Sequence, residues 1–211
     1  MNVLHIDEQR GWRGGEQQAS WLVQGLAARG HSVVVTGRCG GAWVQAAHGG
    51  ADVARVALPF RGEWDLGTAW ALARELRARR IDILHAHTSH AHTMAVVARR
   101  LAGQGKVVVA RRVSFPPKRT PVHRWKYAQP DRFVAVSEHV GEVLRTYGLP
   151  EERIAVVHSA VDLERVAVPP LERAALGVPE DAPLLISAGA LVDHKDHEAV
   201  VTGMARVARE A

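Results

Sequence analysis

Cysteine is almost missing from this chain: Cys39 stands alone among 211 residues. That excludes an internal disulfide and any zinc site built from several thiolates, and it fits a reducing compartment. No apolar run approaches the roughly 20 residues of a membrane span. The start, Met1 to Asp7, lacks the basic residues and long apolar segment of a signal peptide, so the cytoplasm is the expected location. The HExxH, Walker A and GxSxG patterns are also missing, and Gly11-Trp-Arg-Gly-Gly15 does not match the GxGxxG dinucleotide fingerprint. Acidic residues are missing from one long stretch. None lies between Asp82 and Asp131, whereas Arg99, Arg100, Lys106, Arg111, Arg112, Lys118, Arg119, Arg124 and Lys126 do. These nine exceed the net charge of +5, so the rest of the chain is acidic on balance. A one-sided field of this kind attracts a polyanion, a phosphorylated substrate or an anionic membrane surface.

What is present reads as an ordinary globular protein, with 47% apolar and 23% charged residues. Seven short apolar runs read as strands: Val3–Ile6, Ser32–Thr36, Asp52–Ala57, Ile81–Leu84, Lys106–Ala110, Arg132–Val136 and Ile154–Val157. Helical patterns separate them. In the first, Trp21, Leu22, Gly25 and Leu26 fall on one face; in another, capped by Asp65, Leu66, Ala69, Trp70, Ala73, Leu76 and Arg77 step by three and four. Further helices are expected at Ala42–His48, Ala91–Leu101 and Glu138–Tyr147, the last capped by Ser137 and stopped by Gly148. Apolar strands without period-two alternation, separated by helices, predict an α/β doubly wound parallel sheet whose ligands sit beyond the carboxyl ends of the strands.

That domain is expected over residues 1–165, followed by a linker at 166–182 that contains one short helix, Leu171–Leu176. Residues 183–211 read as one strand, Pro183–Gly189, and one helix, Glu198–Ala211. A lone βα unit cannot bury its own apolar faces, so this piece is expected to be the truncated start of a second domain.

Two features carry chemistry. Gly14 and Gly15 stand between the first strand and the first helix, where N–H groups without internal partners carry partial positive charge and suit a phosphate. His85, His87, His90 and His92 form two His-x-His pairs at the end of the fourth strand. Residues two apart on a strand share a face, so a metal-dependent hydrolase using His85 and His87 is one alternative. No carboxylate nearby completes a typical ligand set, so no metal is expected and the histidines read as lining a cleft. A basic surface module is the second alternative, with Trp125 and Tyr127 set among Lys118, Arg119, Arg124 and Lys126 to meet bases or lipid headgroups.

The residues resemble the family-4 glycosyltransferases, retaining enzymes of the two-domain GT-B fold. The resemblance rests on Arg13-Gly-Gly-Glu16, Asp82-Ile-Leu-His-Ala-His87, Phe133-Val-Ala-Val-Ser137, the run from Gly148 through Arg153-Ile-Ala-Val-Val-His-Ser-Ala-Val-Asp162, and Gly189-Ala-Leu-Val-Asp-His-Lys195. It implies an acceptor-side Rossmann-like domain and the opening of a donor-side one. It implies transfer of a sugar from a nucleotide diphosphate to a glycan or lipid-linked acceptor, without a metal or other cofactor. The implied site comprises Gly14, Gly15, Glu16 and Arg111 at the substrates, His87 and Arg112 at the reacting centre, and Lys195 at the donor phosphates. In the family's G-R-L-x-x-x-K-G loop, Ala190 here replaces the arginine and Asp196 the last glycine. Arg112 is the expected substitute for the missing charge, because a guanidinium can clamp a phosphate but cannot serve as a base. A cytoplasmic enzyme, peripheral at the inner face of the membrane and with no nucleic-acid partner, is the resulting expectation.

Overall fold

The computed structural model describes residues 1–46, 48, 53–179 and 181–210. They belong to two compact units, Met1–Val161 and Asp162–Ala211.

In the first unit strands and helices alternate: β1 (Asn2–Ile6), α1 (Gly14–Ala28), β2 (Ser32–Arg38), α2 (Ala42–Gln45), β3 (Ala54–Leu58), α3 (Leu66–Ala78), β4 (Ile83–Ala86), α4 (Ser89–Ala102), β5 (Lys106–Arg111), α5 (Pro121–Ala128), β6 (Arg132–Ala135), α6 (Glu138–Tyr147) and β7 (Ile154–Val156). All seven expected strands form. Asp52, expected to open the third, and Ala47, expected inside the second helix, lie outside the described residues. The strands pair in parallel in the order β3-β2-β1-β4-β5-β6-β7, so the chain winds outward from β1 to β3 and then returns to place β4 on the other side of β1. The two faces of the sheet carry separate apolar clusters. Leu4, Ile6, Leu84, Val109 and Phe133 pack in one cluster with Leu72, Leu76 and Met94 of α3 and α4. Val33 and Val35 pack in a second with Ala19 and Val23 of α1 and Trp43 of α2. The reversal of winding leaves a crevice at the carboxyl ends of β1 and β4, where such sheets bind ligands.

Local chemistry sets the helix ends. Asp65, Thr88, Thr120 and Ser137 each accept a hydrogen bond from a backbone N–H in the first turn of α3, α4, α5 and α6. Gly103 and Gly148, at φ of 72° and 103°, close α4 and α6 in the left-handed conformation.

Two expected helix faces are rotated. The inward face of α1 carries Glu16, Ala19, Ser20 and Val23, while Trp21 is half-buried and Leu22 exposed. Small Ala19 and Ser20 allow close approach to the sheet, and the Ser20 hydroxyl meets the ring of buried His48 at 3.1 Å. In α3, Thr68, Ala69, Leu72, Ala73 and Leu76 face inward, leaving Leu66 and Trp70 in solvent. Thr68 is drawn inside because its hydroxyl donates to Asp65 and accepts from the Phe60 N–H.

The second unit contains α7 (Leu163–Val166), 3₁₀ turns at Arg173–Leu176 and Asp193–Lys195, and α8 (His197–Glu210). The strand expected at Pro183–Gly189 does not form. A strand exists through its ladder, and no second strand is found among the described residues of this unit to supply one. Ala211, expected to end the last helix, lies outside the described residues.

Candidate active site at the sheet switch point

A hollow of about 350 Å³ occupies the crevice, lined in part by Gly15, His87, Ser89, Arg112, Phe115 and Tyr127. An adjoining one of about 330 Å³ shares Gln9, Arg13 and Glu16 with it. The topology explains the convergence. Gly15 opens the helix after β1, His87 follows β4, and Arg112 follows β5, all at one end of the sheet.

Gly15 lies where α1 begins, and a Cβ built on it would meet Arg112 Cδ at 3.5 Å. That is an ordinary van der Waals distance, so the Arg112 side chain lies against the first turn of α1. A Cβ on neighbouring Gly14 would meet nothing within 4 Å. Glu16 is buried, and its carboxylate accepts the Arg13 backbone N–H at 2.8 Å. It thus closes the first turn of the helix, one of the two uses a carboxylate at this position can have. Arg111 and Arg112 part company despite being adjacent. The Arg111 guanidinium is buried, donating to the Tyr127 hydroxyl at 2.8 Å and to the Phe115 carbonyl. Arg112 is half-buried; burial lowers its affinity for the proton, and the carboxylates of Asp7 and Glu16 oppose that effect. Lys195 belongs to the second unit, where it is exposed at the end of a 3₁₀ turn. There His197 Nε2 lies 3.1 Å from the Ala190 carbonyl, closing the Gly189–His197 loop on itself.

The basic stretch is less of a surface than its composition suggests. Lys126 is buried and paired with Glu63 at 2.8 Å, Tyr127 is buried, and Trp125 is half-buried beneath Arg100. Arg119 donates to the Thr146 carbonyl and lies over Tyr147. Of the side chains expected to face bases or headgroups, Lys126 and Tyr127 are thus buried and Trp125 half-buried, while Lys118, Arg119 and Arg124 stay exposed.

Residues that went unremarked in the sequence turn out to matter. His5 stands beside His85 and His87. Asp7 is buried, and burial pushes its carboxyl up to about 7, reinforced by Glu16 and Glu8 and opposed by Arg112. Buried Glu8 accepts the Thr88 hydroxyl, linking the ends of β1 and β4. An alternating His5, Asp7 pair in an apolar strand was the visible signal, but only the sheet order shows which strand it faces.

His92, on the cavity wall, lies edge-on to Tyr127 and Phe133, with Nε2 3.1 Å from the Lys126 carbonyl. Burial and the nearby Lys126 charge push its pKa down to about 3. It is therefore neutral in the folded state at pH values where the unfolded chain is protonated. Its contribution is complete above the unfolded value near 6.5 and is lost as pH falls toward 3, at up to ~1.4 kcal/mol per pH unit. His92→Phe is expected to remove about one proton from the pH dependence of urea unfolding between pH 6 and 4; an unchanged slope would show that the ring titrates normally.

A family model described as Glycosyltransferase Family 4 matches residues 12–165. The chain belongs to this family. The match covers α1, the glycine turn, the His85–His92 segment and Arg112. Among solved structures, this family-4 chain is similar to a glycosyltransferase from Rickettsia africae, at a TM-score of 0.66 and 17% identity over 86% of this chain and 51% of that one. It is also similar to HepE of Anabaena in complex with UDP-glucose, at a TM-score of 0.65 and 16% identity over 84% and 50% of the two chains. A third is the lipopolysaccharide outer core galactosyltransferase WaaB, at a TM-score of 0.60 and 18% identity over 82% and 50%. At these identities the likeness is one of fold, and the chain spans about half the length of each. No curated protein matches the sequence.

Proposed function

We propose that this family-4 protein transfers a sugar from a nucleotide-diphosphate donor to an acceptor hydroxyl, with retention of anomeric configuration as the family resemblance implies. The observation that carries this reading is the meeting of Gly15, the α1 N-terminus and Arg112 at the switch-point crevice. Departure of a nucleoside diphosphate builds negative charge, and fixed N–H groups with a guanidinium already in place lower that barrier without reorganisation. In this reading Arg112 and Gly15 face the diphosphate, and Gly14 leaves room for its approach. Lys195, by its match to the family's lysine, is read as a contact to the donor phosphates. His87 is neutral, since burial lowers its pKa well below the usual range, and it serves as a hydrogen-bonding wall rather than a charge. No metal or organic cofactor is part of the scheme.

The test is release of nucleoside diphosphate from a panel of nucleotide sugars, with the anomeric configuration of the product read by NMR. Binding of a nucleoside diphosphate that fails for the mononucleotide supports the reading. A chain that binds no nucleotide at any crevice residue, judged by chemical-shift changes, would sink it.

A membrane-associated acceptor is favoured by a different surface from the one the sequence suggested. Trp64, Leu66 and Trp70 are more than half exposed at the start of α3, and Arg74 lies 5.1 Å over the Trp70 ring. Aromatic rings beside cations suit the headgroup layer of an anionic bilayer. Among the described residues no helix is long and apolar enough to cross a membrane, so contact would be peripheral. Trp64→Ser with Trp70→Ser should reduce co-sedimentation with phosphatidylglycerol vesicles several-fold; equal sedimentation would exclude this surface.

A further inference from the structure

The transferase reading uses His87 only as a wall, and leaves His5 and His85 without a role. These two are register partners on neighbouring strands β1 and β4, so their side chains project from the same face of the sheet. His87 follows His85 by two residues and returns to that face. The three rings form one cluster, with centroids 4.3 to 5.3 Å apart, and each is at least nine-tenths buried. One hydrogen bond, His5 Nδ1 to His87 Nε2 at 2.9 Å, joins two of them. Of the other four nitrogens, three, His5 Nε2, His85 Nε2 and His87 Nδ1, are buried with no partner among the described residues. A buried imidazole nitrogen without a partner is costly, so the cluster has polar capacity to spare. The His5 Nδ1 and His87 Nε2 atoms now bonded to each other are close enough to share one ion, which would replace that bond.

We infer that His5, His85 and His87 form a three-imidazole site for one divalent cation of the zinc type. A His-x-His pair on one strand with a third histidine across the ladder offers three neutral nitrogen ligands on one face, the donor set that zinc accepts with a fourth position left for water. One ligand atom from each ring lies within 4.8 Å of the others. Zinc–nitrogen bonds of about 2.0–2.1 Å place tetrahedral ligand atoms roughly 3.3 Å apart, so closure asks for ring shifts of about 1 Å. Magnesium and calcium, which prefer oxygen, are excluded by the same chemistry. Arg112 acts electrostatically on His85 and His87 and works against a cation, while the carboxylates of Asp7 and Glu16 face that guanidinium and offset it. The sequence showed His85, His87, His90 and His92 but no carboxylate to complete a ligand set; the sheet supplies a third ligand, His5, from β1. Bound metal would cross-link the two strands at the switch point.

The experiment needs no sugar donor, so its failure and failure of the transferase reading are separable. The chelator-dialysed chain is titrated with zinc chloride and, separately, magnesium chloride, followed by calorimetry and thermal melting. Cobalt chloride provides a visible spectrum. Expected are one zinc per chain, no response to magnesium, and cobalt absorption bands of a four- or five-coordinate nitrogen site. Free zinc at 100 times Kd should lower the unfolded fraction about 100-fold. His5→Gln and His85→Gln should each abolish the tight stoichiometric site. Should a variant fail to fold, ¹⁵N imidazole spectra of the wild-type chain decide, since the nitrogens of these three rings must shift on adding zinc. Absence of a zinc response, zinc binding retained in both variants, or shifts confined to other histidines would overturn the proposal.

Discussion

Lys126→Met is expected to lower the unfolding free energy by about 2–3 kcal/mol, measured by urea denaturation. The ammonium is buried and has all its donors in use: Glu63 Oε1 at 2.8 Å, the Ser89 carbonyl at 2.7 Å and the Ser89 hydroxyl at 3.1 Å. Burial pushes the Lys126 amine below its usual range, and the pair with Glu63 restores part of that affinity for the proton. On the other side burial raises the Glu63 carboxyl, and the hydrogen bonds from Lys126 and Thr93 outweigh it, holding the group below its usual range. Methionine keeps the unbranched stem and removes the charge, so packing survives while Glu63 and the Ser89 carbonyl lose their partner. A fully buried pair broken this way costs about 3–5 kcal/mol. The Glu63 side chain is 33% exposed, so water recovers some of that and the lower figure is expected. Glu63→Gln, which keeps an acceptor for Thr93, should cost about half as much, and the double variant should show coupling above 1 kcal/mol. A Lys126→Met loss below about 0.5 kcal/mol would mean that the ammonium finds water in the folded protein.

The same residue shows where sequence reading stops. Seven strands and most of the helices were legible because apolar periodicity is local, and because Asp65, Ser137 and Gly148 terminate elements through atoms within a few residues. Lys126 was read as part of a basic surface, since charge composition says nothing about which side chains turn inward. Its partner Glu63 is 63 residues away and enters through the loop before α3. The orientations of α1 and α3 failed for a related reason: Trp21 and Trp70 are the larger apolar residues, but small Ala19 and hydroxyl-bearing Thr68 permit the close approach that decides which face is buried. At the site, the glycine turn and Arg112 were visible from order along the chain. His5 was not, because its meeting with His85 depends on β4 returning beside β1.

Arg112→Ala is expected to reduce kcat/KM for the nucleotide-sugar donor by about 10²–10³-fold, the loss seen when a fixed donor to developing negative charge is removed. The fall should lie mainly in kcat, because charge on the diphosphate grows as the sugar–oxygen bond breaks, and a group that strengthens its contact at that moment acts on the barrier more than on ground-state affinity. Arg112→Lys should recover part of the rate, since it restores the charge but not the two-pronged geometry. Arg111→Ala provides the contrast. Its guanidinium is committed to Tyr127 and the Phe115 carbonyl. Its removal should therefore appear first as lost stability and only secondarily, through displacement of Phe115, in kinetics. If Arg112→Ala folds normally and turns over donor at the wild-type rate, the guanidinium beside Gly15 is not at the reacting diphosphate, and the placement of the donor over this crevice falls with it.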